Sequence, residues 1–65
     1  MQVGTLMKAR GTSRMFIIVG EQDVLRKKRK IVKRIKGYRL SPCSEIDRSF
    51  AVGHDEILHR FEVVS

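Results

Sequence analysis

The residues of this 65-residue chain that could do chemistry are unevenly placed. The stretch RKKRKIVKRIKGYR, residues 26–39, holds nine Lys or Arg and no Asp or Glu, and eight of those cations fall within residues 26–36. A surface of this density attracts phosphates and releases their counterions, which gives salt-sensitive binding that ignores sequence. Solubility alone needs far less charge in one place. Lys27, Lys28, Arg29, Lys30, Lys33 and Arg34 are therefore expected to contact phosphates, with Arg26, Lys36 and Arg39 at the rim. Residues 1–25 carry +1 and residues 40–65 carry −3, so the net charge of +7 is one +9 segment in a near-neutral to acidic chain.

Cys43, His54 and His59 are the only soft or imidazole ligands. The two histidines are five apart, on different faces of a helical turn, and a zinc site would still lack a fourth ligand. Nothing marks an activating base or oxyanion donor for Cys43, which is expected as a small apolar filler near a turn. Glu45, Asp47, Asp55 and Glu56 are expected to offset the basic segment or to stabilise turn starts, not to act as paired carboxylates. The glycines are scattered singly and form no phosphate-cradling loop. No enzyme activity, metal or cofactor is expected. Base-specific readout has little support, since the chain has no Asn and its Gln residues are Gln2 and Gln22. Phe16 and Tyr38 could stack on single-stranded bases, but both fit a core better.

A chain this short hides only about 60% of its unfolded surface and builds one small core. With 42% hydrophobic and 32% charged residues it is expected to be globular, as a single domain over 1–65. The longest apolar run, Met15 to Val19, is far below the ~20 residues of a membrane span. No secretory leader pattern is visible, and the lone cysteine makes no internal disulfide. A cytoplasmic protein is expected.

The elements that must position the cations read mainly as strands. Val3–Ala9 and Arg14–Val19 form a first hairpin around the turn-like RGTS. IKGYRLSP resumes a β pattern, with Tyr38 and Leu40 on one face, and Pro42 ends it. SFAVG presents Phe50 and Val52 on alternating positions. In GHDEILHRFEVVS, Asp55 and Glu56 begin a helical turn whose apolar face is Ile57 and Leu58, and Phe61, Val63 and Val64 form a last strand. Between the second and third of these strands lies a basic arm or loop, residues 21–36. Residues 24–36 admit a helix, with Val24, Leu25, Ile31, Val32 and Ile35 near one face, Asp23 as cap and Gly37 as stop. Like charges at Arg26 and Lys30, Arg29 and Lys33, and Lys30 and Arg34 oppose that helix. An extended β-hairpin arm or mobile loop is preferred.

The order of strands, with GHDEILHRFEVVS as a turn feeding the last one, resembles the SH3-like small β-barrel. The stretches LSPCSEIDRSF and VGHDEILHRFEVV resemble small uncharacterised SH3-like accessory proteins of tailed phages, including those of cyanobacteria. The resemblance covers 2–20 and 35–65. It implies an all-β, five-stranded barrel with one helical turn before the last strand, a host-cytoplasmic location, and binding of nucleic acid or protein. Proline-rich ligands are not expected, since the aromatics are only Phe16, Tyr38, Phe50 and Phe61.

The leading expectation is a non-enzymatic accessory protein whose basic arm binds DNA or RNA with little sequence preference. The alternative is an interaction module that docks the arm on an acidic host or virion protein; a structural virion component is a third. Membrane binding ranks lower because the arm lacks Trp or Phe anchors. Exposed strand edges around the arm allow a homodimer.

Overall fold

In the computed structural model, which describes residues 1–44 and 48–64, the chain is mostly β. The elements are β1 (Leu6–Ala9), β2 (Met15–Glu21), β3 (Val24–Lys28), β4 (Ile31–Ile35), β5 (Gly37–Pro42), β6 (Phe50–Gly53), α1 (Ile57–Arg60) and β7 (Phe61–Val63). The expectations for Glu45 and Asp47 lie outside the described residues. Among the described residues no helix is long and apolar enough to cross a membrane.

Five strands make one curled antiparallel sheet in the order β6-β5-β2-β1-β7, and β3 and β4 pair separately. Burial alternates along MFIIVGE: Phe16 and Ile18 point inward and are buried, while Val19 is exposed. At Val19 the register against β5 slips, from Ile18 opposite Leu40 to Gly20 opposite Arg39. One extra residue in a strand bends it and increases its twist. That bend lets β2 serve both halves of so small a sheet.

The core is Met7, Phe16, Ile18, Leu40, Val52, Ile57 and Phe61. It draws one or two residues from each strand of the sheet and Ile57 from α1. The open side of the curl, between edge strands β6 and β7, is bridged by rings instead of backbone. Phe50 stacks on Phe61 with centroids 6.2 Å apart, and Phe16 meets both edge-on at 5.6 and 5.2 Å. Edge-to-face and offset geometries suit the ring quadrupoles.

Three expectations need correction. The first strand starts at Leu6, not Val3, because Gly4 takes a φ of +95° and Thr5 Oγ1 donates to the Gln2 carbonyl at 2.7 Å, closing a turn. Val3 is consequently exposed instead of sharing the Met7 face. In the helical turn only Ile57 is buried; Leu58 is 54% exposed, since a single turn turns one side chain inward. Cys43 lies at a turn as expected but is exposed, so it fills no core space.

Phe16→Ala removes the ring common to both edge-on contacts and is expected to cost about 3–5 kcal/mol. That is close to all a core this small supplies. Urea unfolding should show a largely unfolded chain, whereas Val19→Ala should shift stability by less than about 0.5 kcal/mol. Equal effects from the two would refute this core.

Candidate functional site

The basic segment is a β-ribbon. After Glu21 pairs with Tyr38, the β2–β5 ladder breaks at Gln22–Asp23 and Lys36, and resumes with Val24 opposite Ile35. It runs to Lys28 opposite Ile31, leaving a two-residue turn, Arg29–Lys30. A helix over 24–36 is thus excluded. Residues opposed across an antiparallel pair share a face. Val24, Arg26, Lys28, Ile31, Lys33 and Ile35 lie on one face, and Leu25, Lys27, Val32 and Arg34 on the other.

The first face turns toward the sheet because two glycines make room for it. Gly37 and Gly53 are register partners in β5 and β6. A Cβ on Gly37 would lie 2.5 Å from the Val52 carbonyl oxygen and 2.8 Å from Val24 Cγ2. On Gly53 it would lie 2.7 Å from both Arg26 Nη2 and Asp55 Oδ1, and 2.9 Å from Ile35 Cδ1. Val24, Arg26 and Ile35 therefore sit directly on bare backbone.

Arg26 fixes the seat. Its Nη2 donates to Asp55 Oδ1 at 2.8 Å and its Nη1 to Glu56 Oε1 at 2.6 Å. The hydrogen bond from Arg26, followed by its charge, holds the Glu56 carboxyl below the usual carboxylate range. Glu56 occupies the N-cap of α1 without making a side-chain capping bond, so its carboxylate serves the arm and not the helix. Both acids do offset the basic segment, at one residue of it.

The other cations divide clearly. Lys27, Lys28, Arg29, Lys30, Lys33 and Arg34 are all exposed, and among the described residues none has a carboxylate partner. Arg29 is the one non-glycine described residue with positive φ, +58°, at the first turn position. Lys36 sits in the break, beside a cleft of about 470 Å³ with Glu21, Asp23, Tyr38 and His54. Arg39 is tied to the sheet surface: Nε donates to Ser49 Oγ at 2.9 Å and Nη1 to Gln22 Oε1 at 2.6 Å. Beneath the arm, residues of both strands, including Lys27, Lys28, Lys33, Ile31 and Ile35, line a groove of about 700 Å³ together with Asp55.

One cationic group has no sequence signature. Arg14, Arg48 and Arg60 rim a cleft of about 450 Å³ next to Phe16, Phe50 and Phe61. Arg14 and Arg60 lie over the Phe16 and Phe61 rings, each 5.5 Å from the centroid. They come from three separate segments, and only the curl of the sheet assembles them. Among the described residues no three His, Cys, Asp or Glu side chains gather as a metal site.

Comparison with protein-family models, curated proteins and solved structures gives no match.

Glu56 has a depressed folded pKa, so its contribution is fully present above its unfolded value and is lost as pH falls through the folded one. Amide exchange at residues 24–28 and 31–35 should therefore accelerate below about pH 4, before exchange at Ile18 and Leu40. Arg26→Gln should produce the same loosening at neutral pH. Arm and core amides opening together in both experiments would show that no separate seat exists. Arg29→Gly, which relieves a left-handed residue, should stabilise the turn by about 0.5–1 kcal/mol in thermal unfolding; destabilisation would contradict the turn geometry.

Proposed function

We propose that this chain is a small SH3-like barrel of the phage accessory type that binds nucleic acid through its basic arm, with little sequence preference, in the host cytoplasm. The fold side is supported by the strand order β6-β5-β2-β1-β7 and by a single helical turn immediately before the last strand. On that reading β3 and β4 are a hairpin inserted between the second and third barrel strands.

One observation carries the binding proposal: six exposed cations on a single ribbon lack carboxylate partners among the described residues, while Asp55, Glu56 and Glu62 are engaged by other cations. Asp55 and Glu56 hold Arg26, and Glu62 pairs with Lys8 at 2.9 Å and Arg10 at 3.9 Å. Uncompensated charge of one sign on a projecting element favours a polyanion, and phosphates are the anions that accept Lys and Arg without regard to sequence. Arg26 acts as the anchor, Arg39 is part of the barrel surface, and Lys36 marks the proximal limit.

The rival, an acidic protein partner, has a specific observation of its own. The groove beneath the arm combines Ile31 and Ile35 with Lys28, Arg29 and Lys33, a lining that suits an acidic amphipathic peptide, and its one acid, Asp55, is held by Arg26.

A salt titration with mixed-sequence DNA and RNA separates the two. Log K should fall with log salt, with a slope no steeper than about −5 on duplex DNA for six phosphate contacts at −0.9 each. Replacing Lys27, Lys28, Lys30 and Lys33 with Ala should reduce the slope to about −2 with unchanged unfolding. Absence of binding near 50 mM salt, with a partner protein retained after nuclease treatment, would overturn the proposal in favour of the rival.

A further inference from the structure

The ribbon has a shape as well as a charge, and the shape selects among nucleic acids. We infer that the target is duplex DNA and that the outer face of the β3–β4 ribbon lies in its major groove. This rests on the nucleic-acid reading above and goes beyond it in naming the duplex and the groove.

Accessibility chooses the face. Arg26, Val24 and Ile35 are committed to the seat, with two carboxylates beside them. A phosphate approaching from that side would meet Asp55 and Glu56. The outer face holds only Leu25, Lys27, Val32 and Arg34, and the described carboxylates contacting the arm are all on the other side. Leu25 is 65% exposed and Val32 57%, and as diagonal neighbours they form an apolar pair at the middle of the outer face. Duplex backbone carries no apolar surface to match them, but the major-groove edge does: the thymine methyl.

Dimensions choose the groove. Two strands about 4.8 Å apart, with their side chains, fill roughly 10 Å. The major groove of B-DNA is about 12 Å wide and admits a two-stranded ribbon; the minor groove, about 6 Å wide, does not. The major groove of an RNA duplex is too deep and narrow for side chains to read. A five-residue strand spans about 17 Å, or about five base pairs at 3.4 Å per pair.

Charge then falls into place. With Leu25 and Val32 toward base edges, Lys27 and Arg34 share that face and reach the O6 and N7 acceptors of guanine or the flanking phosphates. Lys28 and Lys33 lie on the opposite face, so the tip residues Arg29 and Lys30 are the further cations left to meet the flanking phosphates. The left-handed Arg29 is intelligible here: glycine would relieve the turn, yet it would leave the tip without a cation.

The test uses one mixed-sequence 20-base-pair site as DNA duplex, RNA duplex and single DNA strand, with the intact protein. Fluorescence anisotropy at fixed low salt should show the DNA duplex bound at least tenfold more tightly than the RNA duplex. Dimethyl sulfate footprinting should show protection at guanine N7, in the major groove, and none at adenine N3, in the minor groove. The double variant Leu25→Ala, Val32→Ala, whose residues are exposed, should unfold as the parent does. It should weaken DNA-duplex binding about fivefold and leave the salt slope unchanged. Equal affinity for both duplexes, tighter binding to the single strand, protection at adenine N3, or indifference to the double variant would each overturn the groove assignment while the nucleic-acid reading stands. Failure to bind any of the three would overturn both.

Discussion

A ribbon bearing a dense run of like charges has every electrostatic reason to swing into solvent, and what holds this one against the sheet is a two-carboxylate fork on Arg26. The fork matters more than an ordinary surface ion pair for a reason of position. Exposed pairs contribute little because two long side chains must be ordered in high dielectric. Arg26 is only a third exposed, and its Nε is buried without a partner among the described residues. An unpartnered buried donor costs free energy, so the two strong contacts at the far end of the guanidinium must offset it. Without them Arg26 would have reason to leave the seat, and the arm would go with it.

The register of the ribbon shows the same constraint. Like charges directly opposed on two strands are destabilising, yet the arm has more cations than neighbours to dilute them. The observed pairing sets Lys27 against Val32, Lys28 against Ile31 and Arg34 against Leu25, each cation facing an aliphatic residue. The single cation–cation pair is Arg26 with Lys33, and Arg26 is the residue whose charge is answered by Asp55 and Glu56. Shifting the pairing by one residue would move every side chain to the opposite face and take Arg26 away from the fork. The ion pair and the register therefore support each other. The Gly37–Gly53 pair lets the arm come close enough for both.

Much of the fold was legible because it rests on local signals. The β-branched and aromatic run FIIV, the Gly11 turn, the Pro42 stop and the Phe50–Val52 pair all specify strands without outside help, and each lies where expected. The segment 24–36 was ambiguous because its aliphatic residues satisfy both a helical face and an alternating one. The decision lay in contacts with residues about thirty positions away, which no window on the sequence contains. The same distance hid the separate role of Arg26. By composition it is one cation among nine; by contact it is the anchor of the rest. Cys43 was misplaced for the opposite reason, since size and polarity suited a buried site but its turn faces solvent.

The acidic C-terminal half acquires a meaning that its summed charge conceals. Asp55 and Glu56 are drawn to the base of the arm and Glu62 to Lys8 and Arg10 on β1, where both cations help hold its carboxyl low. Neutralisation thus occurs on the curled sheet and at the seat, while the distal ribbon keeps its charge. A protein with a net charge of +7 spread evenly would meet a polyanion in any orientation. Here the longest dimension is 36 Å against 22 and 20 Å, and six of the cations without a carboxylate partner among the described residues are gathered on the ribbon. Fields from such an arrangement orient an approaching partner as well as attract it. The fork then has a second consequence: by holding Arg26 to the turn before α1, it fixes the direction in which the charged ribbon projects from the curled sheet.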